Sequence, residues 1–430
     1  MAKPKLALIP ATQGSKLYSV LPSDGVGDFT FSRDTIATRI NKDGLIETVA
    51  SGVSRLNYPL IDGVVNGCPS HLLEPERLQL IQYSEAFDNA SWSKINATIE
   101  LNSTISPDGT LNASKIIDNS TNGYHRMTNA FSTPSSGNFT YSIFLKKGTL
   151  NTAQFQVFDG ATAASALVDL ENGTIESDGQ GINHKIENYG NGWYRCSISG
   201  SYGGSTTTVY VYTKQKTPNY IGNEDYLYVW GAQFEAGSYP TSYIPNYGTA
   251  LGVTRSAETA NGAGDASTFN DSEGVLMAEI SALSDLDDTR YVTLNEGTSS
   301  VNRLSIQYRN SGELRLYNGG TSTAQMIYRD TSLDLSEKIK IAIKYGTTSS
   351  SYKVYINGFS KTIESAFVAT AMSGLNNLKF TDSNGSGNQF YGNTKQIQYF
   401  DSALNDSDLE TITSWTSFTD LANGQLYTIE

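Results

Sequence analysis

The sequence predicts an all-β protein built as tandem β-sandwich or jelly-roll domains, with an N-terminal hairpin segment and one short C-terminal helix. Three observations carry this. Short stretches alternate apolar and polar residues with period two, as in "TYSIFLKKG" and "TTTVYVYTK", the pattern of strands buried on one face. Turn signals return at roughly ten-residue spacing, which favours a sandwich over separate hairpins. The composition fits: 39 glycines against 11 prolines, an abundance of Tyr, Ser, Thr and Asn, and a charged fraction of only 17%.

The chain begins "MAKPKLALIPATQG". Two lysines and a short apolar run resemble a secretory leader, but the run is short and broken by Pro10, so none is expected. Within residues 1–75, "ATRI", "NKDG" and "LIETV" read as strand, turn and strand, with Asp43-Gly44 supplying the positive-φ turn. An isolated hairpin is marginal in water, so this segment is expected to dock on a neighbouring domain or another chain. Arg33, Arg39, Asp43 and Glu47 offer both signs of charge for such an attachment.

Residues 76–247 read as one all-β domain, a sandwich or jelly roll. Its strands include "AQFQVFD", "ASALVDL", "GWYRCSISG" and "DYLYVWGAQFEAG", with turns at Asp108-Gly109 and Asn172-Gly173. Trp92, Trp193 and Trp230 fall on strands or strand ends and are expected as core anchors. Residues 248–270, small and polar, read as a linker. Residues 271–430 supply a second run of strands, among them "GVLMAEISAL", "KIKIAIKYG" and "TKQIQYFDSAL", with Asn357-Gly358 as a tight turn. A helix follows over about 405–415, capped by Asn405 or Asp406, with acidic residues in its first turn where the helix dipole favours them.

Composition excludes several functions. A net charge of −13 without a basic stripe is unsuited to nucleic acid, and no apolar run approaches the ~20 residues that span a bilayer. Neither a nucleic-acid nor a membrane partner is expected. Two cysteines, Cys68 and Cys196, rule out a disulfide-dense scaffold; they read as free thiols, with one disulfide between them left open. His71, His125 and His184 form no metal or triad pattern. No strand carries the acidic residues at i, i+2 or i, i+4 that would set two carboxylates on one sugar, so no enzyme is expected. No cofactor is expected either, calcium excepted. The acidic loop Asp285, Asp287, Asp288 and the pair Asp382, Asn384 read as solvated loops or weak calcium sites, since hard cations take clustered oxygens.

Tyrosine is the remaining signal, at 26 residues. Tyr210 with Tyr212, and Tyr226 with Tyr228, share a strand face at i, i+2 spacing. Each pair is either sandwich core or subunit interface, or an exposed platform for sugar rings.

Several strings occur together and in order: "FTFSRDTIATRINKDGLIETV", "HLLEPERLQLIQYSEAFDNASWSK", "GNGWYRCSIS", "YVWGAQFEAGSYPTSYIPNYG" and "VTRSAE". Over about residues 17–260 the chain resembles a module of tailed-bacteriophage head-fibre, tail-fibre and appendage proteins. The strings "KIKIAIKYG", "YKVYINGFS" and "QFYGNTKQIQYFDSALNDSDLETIT" give residues 271–430 a resemblance to a laminin G-like or concanavalin A-like sandwich. The resemblance implies a virion structural protein, assembled with other virion proteins and as a homotrimer, contacting host-surface glycans. The alternatives are a free lectin or adhesin and a polysaccharide depolymerase.

Overall fold

Period-two alternation leads to paired strands, because each strand buries one row of side chains and leaves its backbone groups to a neighbour. A computed structural model of the chain describes residues 3–10, 12–13, 16–17, 19, 25–177, 183–215, 219–284, 289–297, 301–319, 324–382 and 387–415. Among these, nearly all regular structure is antiparallel β, arranged as two sandwiches.

The first sandwich has a front sheet of six described strands in the spatial order Trp92–Ile95, Arg126–Ser132, Thr206–Tyr212, Thr152–Phe158, Ala163–Asp169 and Thr174–Ser177. Its back sheet runs Ala97–Thr104, Ala113–Asp118, Tyr226–Ala236, Gly137–Lys146, Trp193–Tyr202 and Asn183–Asn188. Between them lie Tyr141, Phe155, Val157, Ile198, Val209, Val211, Leu227 and Phe234. Each large apolar side chain so buried contributes about 1.5–3 kcal/mol. Trp92, Trp193 and Trp230 are all buried, though only Trp92 lies in this core. Trp193 and Trp230 sit on the outer face of the back sheet with Phe144 and Tyr243, under Ile46 of the N-terminal hairpin. That hairpin pairs Ala37–Ile40 with Ile46–Val49, and Asn41 closes its turn by accepting the N–H groups of Asp43 and Leu45.

In the second sandwich, one sheet runs Phe359–Lys361, Lys353–Ile356, Ile339–Tyr345, Gly274–Ala282, Gly392–Phe400, Ser70–Leu73 and Arg55–Asn57. Leu6–Leu8 also pairs with the Gly392–Phe400 strand, Leu6 opposite Tyr399. The facing sheet runs Ala324–Asp330, Leu314–Gly319, Arg303–Tyr308, Arg290–Asn295 and Asn377–Lys379. The helix Asp406–Ser414 covers the outer side of the first of these sheets through Leu409 and Ile412. Asn405 caps it, its side chain accepting from the Asp408 N–H at 2.8 Å.

Two boundaries read from the sequence are corrected here. Residues 1–75 are not a separate segment: Leu6, Leu8, Phe29, Phe31 and Leu73 lie in the core of the C-terminal sandwich. Residues 248–270 are not a free linker, since Val253–Arg255 pairs with Arg77–Gln79 and Thr259–Asn261 pairs with Phe29–Ser32. The first sandwich is therefore an insertion within the chain of the second, and the chain enters and leaves it side by side.

A buried charge cluster holds that neck. Glu258 accepts from Arg33 Nη1 at 2.6 Å, from Arg55 Nε at 2.9 Å, from Arg55 Nη2 and from the Glu74 N–H at 2.8 Å. Glu74 pairs with Arg55 at 2.8 Å and with Arg255 at 2.6 Å. Surplus donors go to backbone carbonyls, including Arg33 to Ala50, Arg55 to Thr38 and Arg255 to Pro75. Fully buried charges are tolerated only when paired and hydrogen-bonded in this manner. The guanidinium groups of Arg255 and Arg55 outweigh burial and hold the Glu74 carboxyl well below the usual carboxylate range.

Candidate functional site

The front sheet presents its outer face away from the core. In the register Arg126 lies opposite Tyr212 and Thr128 opposite Tyr210, while Gln154 and Gln156 flank them from the next strand. Alternation sends Met127, Val209 and Val211 inward and leaves Arg126, Tyr210 and Tyr212 on the outer face. The Tyr210 and Tyr212 rings are stacked, 5.9 Å apart at 9°. The Arg126 guanidinium lies 5.0 Å from the Tyr210 ring centre, 5.6 Å from Tyr212 and 5.8 Å from Tyr124. Its Nη1 donates to the Tyr212 hydroxyl at 3.0 Å. Burial raises the Tyr212 phenol above its ordinary value, and the Arg126 hydrogen bond opposes that shift.

Arg126 forms no ion pair among the described residues, and its Nε is buried without a hydrogen-bond partner. An unneutralised guanidinium ringed by tyrosines is a place of positive potential on an acidic chain. Tyr124, 37% exposed, and the half-buried Tyr210 form the accessible rim, whereas Tyr212 is only 2% exposed and serves as the floor. Gln154 and Gln156 lie buried beneath it, Gln154 donating to Ser165 Oγ at 3.2 Å and Gln156 Oε1 accepting from the Tyr212 hydroxyl at 3.5 Å. The site therefore combines ring faces with one guanidinium that no carboxylate among the described residues neutralises.

The second tyrosine pair lies on the back sheet and is not brought to the first. Tyr226 and Tyr228 meet edge to face at 5.4 Å, and Lys115 stands 4.9 Å from the Tyr226 ring. Glu100 neutralises that lysine at 2.8 Å, and Tyr228 packs against the cluster beneath the hairpin. Of the attachment residues, Arg33 is corrected to an interior position: it is buried on Glu258, whose carboxylate offsets the cost of removing the guanidinium from water. Arg39 and Glu47 form a cross-strand pair at 3.4 Å on the hairpin, and Asp43 is exposed at its turn.

Asp285, Asp287, Asp288 and Asn384 lie outside the described residues. Asp382 accepts from Asn388 Nδ2 at 3.1 Å. Among the described residues no group of three or more His, Cys, Asp or Glu could hold a metal ion. Cys68 is exposed and Cys196 buried, and both are free thiols.

Sequence reasoning missed Tyr124 and Arg126. The signal was present in "RMTNAF", whose alternation places Arg126 on the face opposite Met127.

The sequence matches no protein-family model, and no curated protein matches it. Among solved structures the chain is similar to the Ruminococcus gnavus IT-sialidase CBM40, with 14% identity, a TM-score of 0.28, and coverage of 34% of this chain and 84% of that one. It is similar to the NanB sialidase from Streptococcus pneumoniae at 17% identity and a TM-score of 0.28, over 34% of this chain and 24% of that one. Domains LG4-5 of the mouse laminin alpha1 chain match at 10% identity and a TM-score of 0.23, over 67% of this chain and 90% of that one. Likenesses this distant assign no ligand.

Proposed function

We propose that this chain is a non-catalytic glycan-binding protein of the bacteriophage virion surface, a head fibre, tail fibre or capsid decoration. The observation that carries glycan binding is the Tyr124–Arg126–Tyr210–Tyr212 cluster on the outer face of the front sheet. Flat ring faces suit the C–H faces of sugars, and the guanidinium, which no carboxylate neutralises, suits a carboxylate substituent. Thr128, Gln154 and Gln156 neighbour the cluster in the register and none of them is a carboxylate, which supports holding a sugar over cleaving it.

The virion role rests on the resemblance of the ordered strings to those of phage appendage proteins. "FTFSRDT", "HLLEPERL" and "VTRSAE" contain Arg33, Glu74, Arg255 and Glu258, four of the five charged residues of the buried neck, so the strings that carry the resemblance fall on the scaffold that holds the inserted sandwich. Copies assembled as a trimer would multiply a weak contact into useful avidity. Peptide mass spectrometry of density-purified particles tests the placement, and finding the chain only in soluble lysate overturns it. Release of reducing sugar from host capsule by the purified chain would move the assignment to a depolymerase.

A further inference from the structure

A second cleft lies where the N-terminal hairpins meet the first sandwich. Asn57, Tyr58 and Asp62 form one wall and Glu187, Asn188 and Tyr194 the other, around a cavity of about 480 Å³. A neighbouring hollow of about 510 Å³ shares Asp62, Asn188 and Tyr194 and adds Lys42 and Asp43. The walls are fastened together between these hollows. The Leu60–Ile61 and Val64–Val65 hairpin turns at Asp62-Gly63, and Gly63 rests backbone to backbone on Gly190. A Cβ on Gly63 would sit 2.5 Å from the Gly190 nitrogen, so only glycine permits this approach.

The chemistry of the lining is selective. Asn57 Oδ1 accepts the Ile40 N–H at 2.8 Å, and Asn188 Oδ1 accepts the Gly190 N–H at 2.9 Å. Only an oxygen can accept from an N–H, so both amide orientations are fixed and both NH₂ groups remain to donate. Asp43 and Asp62 supply acceptors, and Glu187 is paired with Lys185 at 2.8 Å. Among the described residues no guanidinium lines either hollow, and the Lys42 ammonium is outnumbered by the carboxylates of Asp43, Asp62 and Glu187. Ring faces, fixed amide donors and carboxylate acceptors, without a cationic fork, match a ligand that is uncharged and rich in hydroxyl groups. We infer that the cleft between the hairpins and the first sandwich is a second binding site, for a neutral oligosaccharide.

This site is independent of the tyrosine–arginine cluster on the front sheet, and the test separates them. Saturation-transfer NMR on the full chain would be run with cellotetraose, maltotetraose and chitotetraose. At least one is expected to bind, with affinity falling at least tenfold in Tyr58→Ala and in Gly63→Val, and unchanged in Tyr210→Ala. Both first substitutions lie in surface hairpin segments, and circular dichroism verifies that the sandwiches persist. Absence of signal from all three sugars, or a signal that survives both Tyr58→Ala and Gly63→Val, would overturn the inference.

Discussion

Replacing Glu258 by alanine should nearly unfold the neck between the two sandwiches. The cluster holds three guanidinium groups, Arg33, Arg55 and Arg255, against two carboxylates, Glu74 and Glu258. Its net charge is thus already positive, with Arg33 dependent on Glu258 for its carboxylate contact. Removing one partner of a buried pair costs about 3–5 kcal/mol. The Glu74 N–H also loses its acceptor, which adds about 1 kcal/mol or more. The sum, about 4–6 kcal/mol, is a large part of the roughly 5–15 kcal/mol that stabilises a typical domain. Glu258→Gln keeps one acceptor oxygen and the shape, and should cost about 1.5–3 kcal/mol. Equilibrium urea unfolding followed by tryptophan fluorescence reads this directly, because Trp92, Trp193 and Trp230 are buried in the inserted sandwich. Glu47→Ala, which breaks a solvent-exposed pair, is the control and should cost less than about 1 kcal/mol. A Glu258→Ala protein within 1 kcal/mol of wild type would refute the clamp.

Other consequences follow from single residues. His71 is buried between Phe31 and Phe380, both ring nitrogens lack partners, and burial with the nearby Arg55 charge lowers its pKa to about 3. The folded state therefore resists protonation: its stability is full above the unfolded value near 6.5 and falls by about 1.4 kcal/mol per pH unit as pH drops toward 3. Urea midpoints at pH 7.5, 5.5 and 4.5 should show this slope, and His71→Leu should flatten it. The depressed Glu74 carboxyl adds acid sensitivity below its ordinary range, since the unfolded chain takes up that proton first. Gly358, at φ +85° with the Ser414 Cβ 3.1 Å from where its own would stand, should lose about 1–2 kcal/mol as alanine, measured by thermal unfolding. Asn405→Ala removes the helix cap and should cost about 1 kcal/mol by the same assay.

Features set by local chemistry were legible in the sequence. Asp43-Gly44 and Asn357-Gly358 made the expected turns, because positive φ is a property of those residues rather than of their surroundings. The helix began at its cap residue for the same reason. Pairing partners were not legible. Leu6 meets Tyr399, and no periodicity within either strand names the other. Arg33 read as a surface charge because arginine is rarely fully buried unless paired, and its partner lies 225 residues away. The insertion of one sandwich in the other is hidden on the same ground. Of the candidate site, the Tyr210–Tyr212 face was legible from i, i+2 spacing. Arg126 was not, because its place beside Tyr212 depends on the register of a neighbouring strand.

The most direct test of the account is a glycan microarray carrying matched neutral and carboxylate-bearing oligosaccharides, probed with the full chain and with Arg126→Ala and Tyr210→Ala. The account predicts binding to carboxylate-bearing glycans, reduced at least tenfold by either substitution while folding is unchanged. Binding to carboxylate-bearing glycans that both substitutions leave intact, or no binding to any carboxylate-bearing glycan on the array, would contradict it.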